Sequence, residues 1–118
     1  MELTTEAARH PHVFERAFNT GRIELVDQLY EPDGVLVADG EQLTGRRRAD
    51  ALRAHLDLGA PVRVNPRQVH VSGDIALLIV DWAIEGHIGG TATDVVRRGP
   101  DGFWRYVIDN PMGSTMAA

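Results

Sequence analysis

The chain contains 118 residues with a formal net charge of −5, and 43% of the residues are hydrophobic. Each of the twelve basic residues is arginine, and the chain has neither lysine nor cysteine. This composition excludes Schiff-base chemistry on lysine, cysteine nucleophiles, thiolate metal ligands and disulfides. The negative charge also argues against nucleic acid as a partner, because phosphate binding requires a basic surface.

The chain shows no internal repeat and no linker, so we expect a single domain over residues 1–118. A domain of about 120 residues can bury a core without cross-links. No apolar stretch approaches the length that crosses a bilayer, which predicts that a membrane is not a partner. The first residues lack the basic and apolar regions of a signal peptide, so we expect a cytoplasmic protein.

Helix signals come first along the chain. The spacing of apolar residues predicts a first helix that starts or bends at Pro11 and ends at Gly21. A second helix is predicted over residues 23–30, and residues 31–34 (Glu-Pro-Asp-Gly) predict a turn. A short strand is expected to follow at residues 35–37.

Strand signals dominate the second half, after one more helix. Thr44 is the expected N-cap of this third helix, which ends at Gly59. The pattern then changes to extended segments, with turns at 72–74, 86–90 and 99–102 and final strands at 91–98 and 103–110. Helices followed by strands predict an α+β fold, with the helices packed on one face of an antiparallel sheet.

The segment 75–80 is apolar at every position. An antiparallel strand with one face in water should alternate between apolar and polar residues, so we expect both faces of this strand to be buried. The helices would cover one face, and no remaining element of the chain can cover the other. This pattern predicts a homodimer through the open face of the sheet.

Two segments resemble the SnoaL-like, ketosteroid-isomerase-like proteins of the nuclear-transport-factor-2-like superfamily. Residues 25–37 (LVDQLYEPDGVLV) resemble the helix-to-strand passage of these proteins. Residues 91–111 (TATDVVRRGPDGFWRYVIDNP) resemble the terminal hairpin of an actinobacterial branch, some members of which lie in polyketide gene clusters. The resemblance implies a cystatin-like cone, in which three helices and a curved antiparallel sheet enclose a pocket, and a sheet-to-sheet dimer.

The steroid isomerases of this superfamily use a carboxylate base, with a tyrosine and a protonated carboxylic acid as the oxyanion hole. By position, the acid falls on Asp94 and the tyrosine on Phe14. The base falls on Ala38, with Asp39 one residue beyond. A slip of one residue turns a strand side chain to the opposite face, so we do not predict a steroid isomerase.

Asp94 remains the candidate catalytic acid or base. A buried carboxylate is costly unless it is protonated or paired, so the alternative is an ion pair with Arg97 or Arg105. The candidate ligand-binding residues are aromatic, polar or titratable side chains expected near the pocket: Tyr30, Asp39, His55, Trp82, Trp104, Tyr106 and Asn110.

The orientation of the last strand stays open at this point. Alternation places Tyr106 on one face of the strand and Asp109 on the other. A regular four-residue hairpin loop would put Asp94 on the face of Asp109, whereas a bulge at Gly99 or Gly102 would reverse this arrangement.

The remaining polar groups give weaker signals. The five histidines show no spacing typical of metal ligands, so neither a metal nor a cofactor is predicted. The arginine run 46–48 is interpreted as a solvated face, and holding an anionic ligand at the pocket rim is the alternative.

Two functions are consistent with this sequence. The first is a cofactor-free enzyme that isomerises, cyclises or hydrates an apolar, carbonyl-bearing or polyketide-like metabolite. Asp94 would act as its acid or base, and Tyr106 or Tyr30 as its hydrogen-bond donor. The second is a non-catalytic protein that binds or sequesters a hydrophobic small molecule, because two of the three isomerase positions differ.

Overall fold

Three α-helices and six strands form the part of the chain that the structure describes, residues 2–114 of a computed structural model. The helices are α1 (His10–Asn19), which continues a 3-10 turn at Ala7–Arg9, α2 (Ile23–Asp27) and α3 (Gly45–Leu56). The strands are β1 (Tyr30–Ala38), β2 (Glu41–Leu43), β3 (Val62–Ser72), β4 (Ile75–Ile84), β5 (Gly89–Arg98) and β6 (Trp104–Asp109). No helix within residues 2–114 is long and apolar enough to cross a membrane.

The strands form one curved sheet in the order β2-β1-β6-β5-β4-β3, and the helices cover its inner face. This arrangement confirms the α+β, cystatin-like fold. The sheet is mixed rather than wholly antiparallel, because β1 runs parallel to β6. Strand β1 follows α1 and α2 in the chain. The last strand, β6, lies beside β1 and runs in the same direction.

Two local predictions need correction at the start of β1. The second helix ends at Asp27, and Tyr30 is already the first residue of the strand, paired with Tyr106. Residues 31–34 form an irregularity within β1 rather than a turn between elements, since the register shifts between Tyr30 and Val35. Gly34 is required there because an added Cβ would lie 2.7 Å from the carbonyl oxygen of Tyr106.

Within one chain, strand β4 has one buried face and one partly exposed face. Ala76, Leu78 and Val80 are buried against the helices. Ile75 and Leu77 point to the outer face and are 40% and 39% exposed. Among residues 2–114, these apolar side chains on the outer face of β4 are therefore not fully covered.

The arginine run is not uniformly solvated, because Arg48 is only 3% exposed. Its Nη1 donates to the carbonyl oxygens of Glu31 (3.0 Å) and Gly34 (2.7 Å), and its Nη2 lies 3.1 Å from Oδ1 of Asp27. The guanidinium also stands 4.8 Å from the ring centroid of Tyr30. Arg48 thus ties α3 to the end of α2 and to the irregular start of β1.

Candidate functional site

An open cavity lies between the inner face of the sheet and helices α1 and α3. Its volume is about 60 Å³. Its walls are mostly aliphatic and aromatic side chains. The polar lining residues are His55, Trp82, Asp94, Tyr106 and Asp109.

A bulge in β6 brings two of these polar residues to the same face. The pairing between β5 and β6 shifts between residues 95 and 96, which leaves Val107 without a partner. One extra residue interrupts the alternation of a strand, so Tyr106 and Asp109 both face the cavity. The hairpin loop also departs from the regular four-residue form, because Arg98 pairs with Trp104 and not with Phe103. That shift puts Tyr106 on the face of Asp94, and the bulge at Val107 then brings Asp109 to the same face.

Asp94 and Asp109 form a buried pair of carboxyls, 3% and 7% exposed. The backbone N–H of Asn110 donates to Oδ1 of Asp94 at 3.0 Å, and the hydroxyl of Tyr30 donates to Oδ2 of Asp109 at 2.5 Å. Burial, and then the neighbouring Asp109, raise the pKa of Asp94 well above its usual range. Burial also raises the pKa of Asp109, although hydrogen bonds from Asp94 and Tyr30 oppose this rise. Two adjacent buried carboxyls cannot both ionise at low cost, so we expect the pair to hold one proton near neutral pH.

Asp94 has no arginine partner within residues 2–114. The two arginines considered for that role bind other carboxylates: Arg97 pairs with Glu31 at 2.8 Å and Arg105 with Asp101 at 2.7 Å. The charge on Asp94 is consequently controlled by its shared proton and not by an ion pair.

The two phenols of the chain stand beside the carboxyl pair, with ring centroids 5.0 Å apart. Tyr106 lines the cavity, whereas Tyr30 lies behind Asp109 and reaches the site through its hydrogen bond. Burial, together with the two carboxyls, raises the pKa of both phenols well above the usual range. Both hydroxyls therefore keep their protons and can act as donors.

His10 supports Tyr106 from below without a polar contact of its own. Its imidazole packs edge-on against the Tyr106 ring at 4.4 Å, and neither ring nitrogen has a hydrogen-bond partner among the residues described. Burial lowers the pKa of His10 to about 4, so the ring is neutral at pH 7. Its role is to hold the Tyr106 ring in place.

His55 and Trp82 are half-buried lining residues whose ring centroids lie 6.5 Å apart. The indole N–H of Trp82 donates to the carbonyl oxygen of Pro111 at 2.6 Å. That bond occupies the donor, so Trp82 offers the cavity an apolar ring. His55 is the one further titratable side chain of the described lining.

The other candidates do not line the cavity. Asp39 is exposed in the turn after β1 with a φ of 51°. Trp104 is buried below the amino-terminal segment, where its Nε1 donates to the carbonyl oxygen of Thr5 at 3.1 Å. Asn110 acts indirectly through its backbone bond to Asp94.

The candidate site residues predicted from the sequence did not include Asp109 or Phe18, which both line the cavity. Asp109 carried a signal, since it was one of two alternatives for the last strand. The bulge concealed that both alternatives hold.

A model of the SnoaL-like domain matches residues 12–110 of this sequence. The chain belongs to the SnoaL-like family. Comparison of this SnoaL-like protein with curated proteins finds no match.

Solved structures share its fold at low sequence identity. A Thiobacillus denitrificans domain, provisionally named as a calcium/calmodulin-dependent protein kinase II association domain, has a TM-score of 0.76 and 19% identity, covering 98% of this chain and 100% of that one. A cystatin-like domain of unknown function from Nostoc punctiforme has a TM-score of 0.72 and 17% identity, covering 92% and 75%. An NTF2-like protein from Streptomyces avermitilis, provisionally named as a dehydratase, has a TM-score of 0.65 and 19% identity, covering 91% and 93%. At these identities the likeness shows the fold of this SnoaL-like protein and not its activity.

Proposed function

We propose that this protein is a cofactor-free enzyme that transfers protons on a neutral, apolar, carbonyl-bearing metabolite, in an isomerisation, cyclisation or hydration. The observation that carries the proposal is the pair Asp94–Asp109, two neighbouring carboxyls that are buried in the wall of an otherwise apolar cavity. Acid–base sites typically contain two titratable groups whose surroundings give them different pKa values.

The hydrogen bonds assign the roles within the pair. Asp109 accepts hydrogen bonds from Tyr30 and Asp94 and is the carboxylate, so it takes a proton from the carbon next to the substrate carbonyl. The electrons of that C–H bond move to the carbonyl oxygen. Tyr106 donates to this oxygen as its charge grows. As Asp109 takes up the proton from carbon, the Asp94 hydroxyl turns from Asp109 to the same oxygen, and Asp109 then returns the proton to carbon.

The cavity lining favours a neutral substrate. Within residues 2–114 no arginine lines the cavity, so an anionic group would find no permanent positive charge there. The aliphatic and aromatic walls stabilise an apolar body by burying it. A ketone with an apolar body fits both conditions.

The proposal is tested by proton exchange, which needs no natural substrate. In D2O, the protein should speed the exchange of the protons next to the carbonyl of 2-decanone, followed by NMR. Asp94→Asn and Asp109→Asn should each slow this catalysed exchange by about 10²-fold or more, the usual contribution of a positioned acid or base. Asp101→Asn, which changes an exposed carboxylate outside the cavity, should leave it unchanged. An unchanged rate in Asp94→Asn would contradict the assignment.

The second candidate is a non-catalytic protein that binds a hydrophobic small molecule. Phe14 and Ala38 stand where the steroid isomerases have their tyrosine and base, which favours this alternative. Trp82 lines the cavity and supplies a fluorescence readout for binding. If 2-decanone changes this fluorescence equally in the wild type and in Asp94→Asn, and neither protein catalyses exchange, the binding function is supported instead.

The finer placement of the protein is also part of the proposal. The sequence of the terminal hairpin, residues 91–111, supports the actinobacterial branch and a role in secondary metabolism in the cytoplasm. Some members of that branch lie in polyketide gene clusters, which supports a polyketide-like substrate.

We further propose a homodimer through the outer face of the sheet. Leu77 pairs with Val95, which pairs with Ile108, so these apolar side chains form a row across three strands. Leu77 and Ile108 are 39% and 40% exposed in one chain, and a second copy of the same face would cover them.

Analytical ultracentrifugation at micromolar concentration should therefore give a dimer. Leu77→Arg should give a monomer, because a two-fold interface would bury two added charges near each other. Val71→Arg is the matched control, since Val71 is 58% exposed but pairs with the inward-facing Ala76. A wild-type monomer under these conditions would count against the dimer.

A further inference from the structure

Phe18 separates the main cavity from a second groove. It lines both, and its side chain is 4% exposed. The second groove lies at the ends of α1 and α3 and before β3, and its volume is about 300 Å³. One side chain therefore forms a wall between two spaces.

The second groove is empty because glycine ends both helices. Gly21 and Gly59 have φ values of 78° and 71°, the left-handed conformation that terminates a helix. A Cβ added at either position would meet nothing within 4 Å. In the described part of the chain, these two positions thus place no side chain in the space beyond Phe18.

The wall beside Phe18 is fixed to the sheet. Asn19 donates from Nδ2 to the carbonyl oxygen of Val62 at 3.1 Å and accepts from the Val62 N–H at 2.8 Å. This pair of bonds holds the end of α1 against the start of β3. Phe18 is next in the chain and is held at the same end of the cavity.

The carboxyl pair lies toward the opposite end. Along β4, Leu78 pairs with Asp94, and Ile84 pairs with Val62. Phe14 lies between the two ends, because its ring centroid is 6.1 Å from that of Tyr106 and 5.8 Å from that of Phe18. A ligand with its polar end at Asp94 therefore extends along β4 toward Phe18.

We propose that Phe18 determines substrate specificity by setting the maximum length of the apolar ligand whose carbonyl end lies at the carboxyl pair. This inference rests on the proposed function and adds a substrate class to it: a carbonyl compound with an extended apolar chain. The apolar chain of the ligand can extend only as far as Phe18. With a smaller side chain at position 18, the ligand could extend into the second groove.

The test uses linear methyl ketones of increasing length, from 2-octanone upward, with Trp82 fluorescence as the binding signal. In the wild type, affinity should rise by about fourfold per added methylene while the chain fills the cavity, and then stop rising. Phe18→Ala should move this limit to ketones several carbons longer. Phe18→Leu, which disturbs packing less, should move it in the same direction by a smaller amount.

Two control variants distinguish a change in the ligand length limit from a general loss of packing in the protein. Phe14 stacks on Phe18 at 5.8 Å and lines the main cavity but not the groove, so Phe14→Ala should leave the length limit unchanged. Ala60 lines the groove but not the main cavity. Adding Ala60→Leu to Phe18→Ala should therefore fill the groove and restore the shorter limit.

The possible outcomes differ for the two proposals. If the wild type shows a length limit that neither Phe18 variant moves, the role of Phe18 is wrong and the proposed acid–base function stands. If the wild type binds no ketone of the series, the ligand class is wrong, and with it both proposals.

Discussion

Replacing Arg48 by methionine is expected to lower the free energy of unfolding by roughly 2–4 kcal/mol, although Arg48 does not line the cavity. The carbonyl oxygens of Glu31 and Gly34 would lose their donor inside the protein. The cation above the Tyr30 ring would be lost as well. Methionine keeps much of the length and the apolar stem, so the loss is mostly that of the polar contacts. Urea unfolding at neutral pH measures it.

The run of three arginines supplies the control. Arg47 pairs with Glu41 at the surface, where its side chain is 68% exposed, so Arg47→Met should change stability by less than about 1 kcal/mol. Arg48→Lys should not restore stability, because one ammonium cannot reproduce a planar fork that reaches two carbonyls and a carboxylate. Equal stability of the methionine and wild-type proteins would show that the buried guanidinium is dispensable.

Asp94→Asn is expected to act in the opposite direction and to stabilise the protein at neutral pH. The pKa of Asp94 is raised in the folded protein above the 3.8 of the unfolded chain. Between these two pKa values the folded state binds more protons than the unfolded state, so stability falls as pH rises through this window. The amide cannot ionise, yet it can still donate to Asp109 and accept from Asn110.

The expected gain is on the order of 1–3 kcal/mol at pH 7.5, or a rise of several degrees in Tm. It should shrink as the pH is lowered and disappear below about pH 3.8, where both states hold the proton. Thermal unfolding across this pH range provides the measurement. A variant less stable than the wild type at pH 7.5 would mean that Asp94 is ionised and well solvated in the folded protein.

Asp101→Asn is the control of opposite sign. Hydrogen bonding to Arg105 lowers the pKa of this exposed carboxyl to about 2. Its ionised form is therefore favoured by folding, and its replacement should lower Tm at neutral pH. The pair of variants tests the sign of each effect on one sheet.

Features with local causes could be predicted from the sequence. Gly21 and Gly59 end helices because the left-handed conformation is a property of the residue itself. Asp94 was identified through the resemblance of the terminal hairpin, and the structure places it in the cavity wall.

Features that depend on tertiary packing could not be predicted from the sequence. Three consecutive arginines give no sign that Arg48 is buried, because its partners lie on other elements. The spacing of apolar residues before Tyr30 is typical of a helix, yet Tyr30 pairs with Tyr106 and is the first residue of β1. Val107 carries no glycine or proline signal for a bulge, so the meeting of Asp94 with Asp109 depended on a register that only the packed sheet reveals.

The extra residue at Val107 also affects how relatives should be aligned with this chain. A sister protein with a regular last strand would carry the second carboxyl two positions after its tyrosine, whereas Asp109 comes three positions after Tyr106. An ungapped alignment would then match Asp109 with an outward-facing residue, and the carboxyl pair would be missed in a protein that has it. A gap opposite Val107 brings the two sites into the same columns, and a lineage could gain or lose this residue without losing its acid and base.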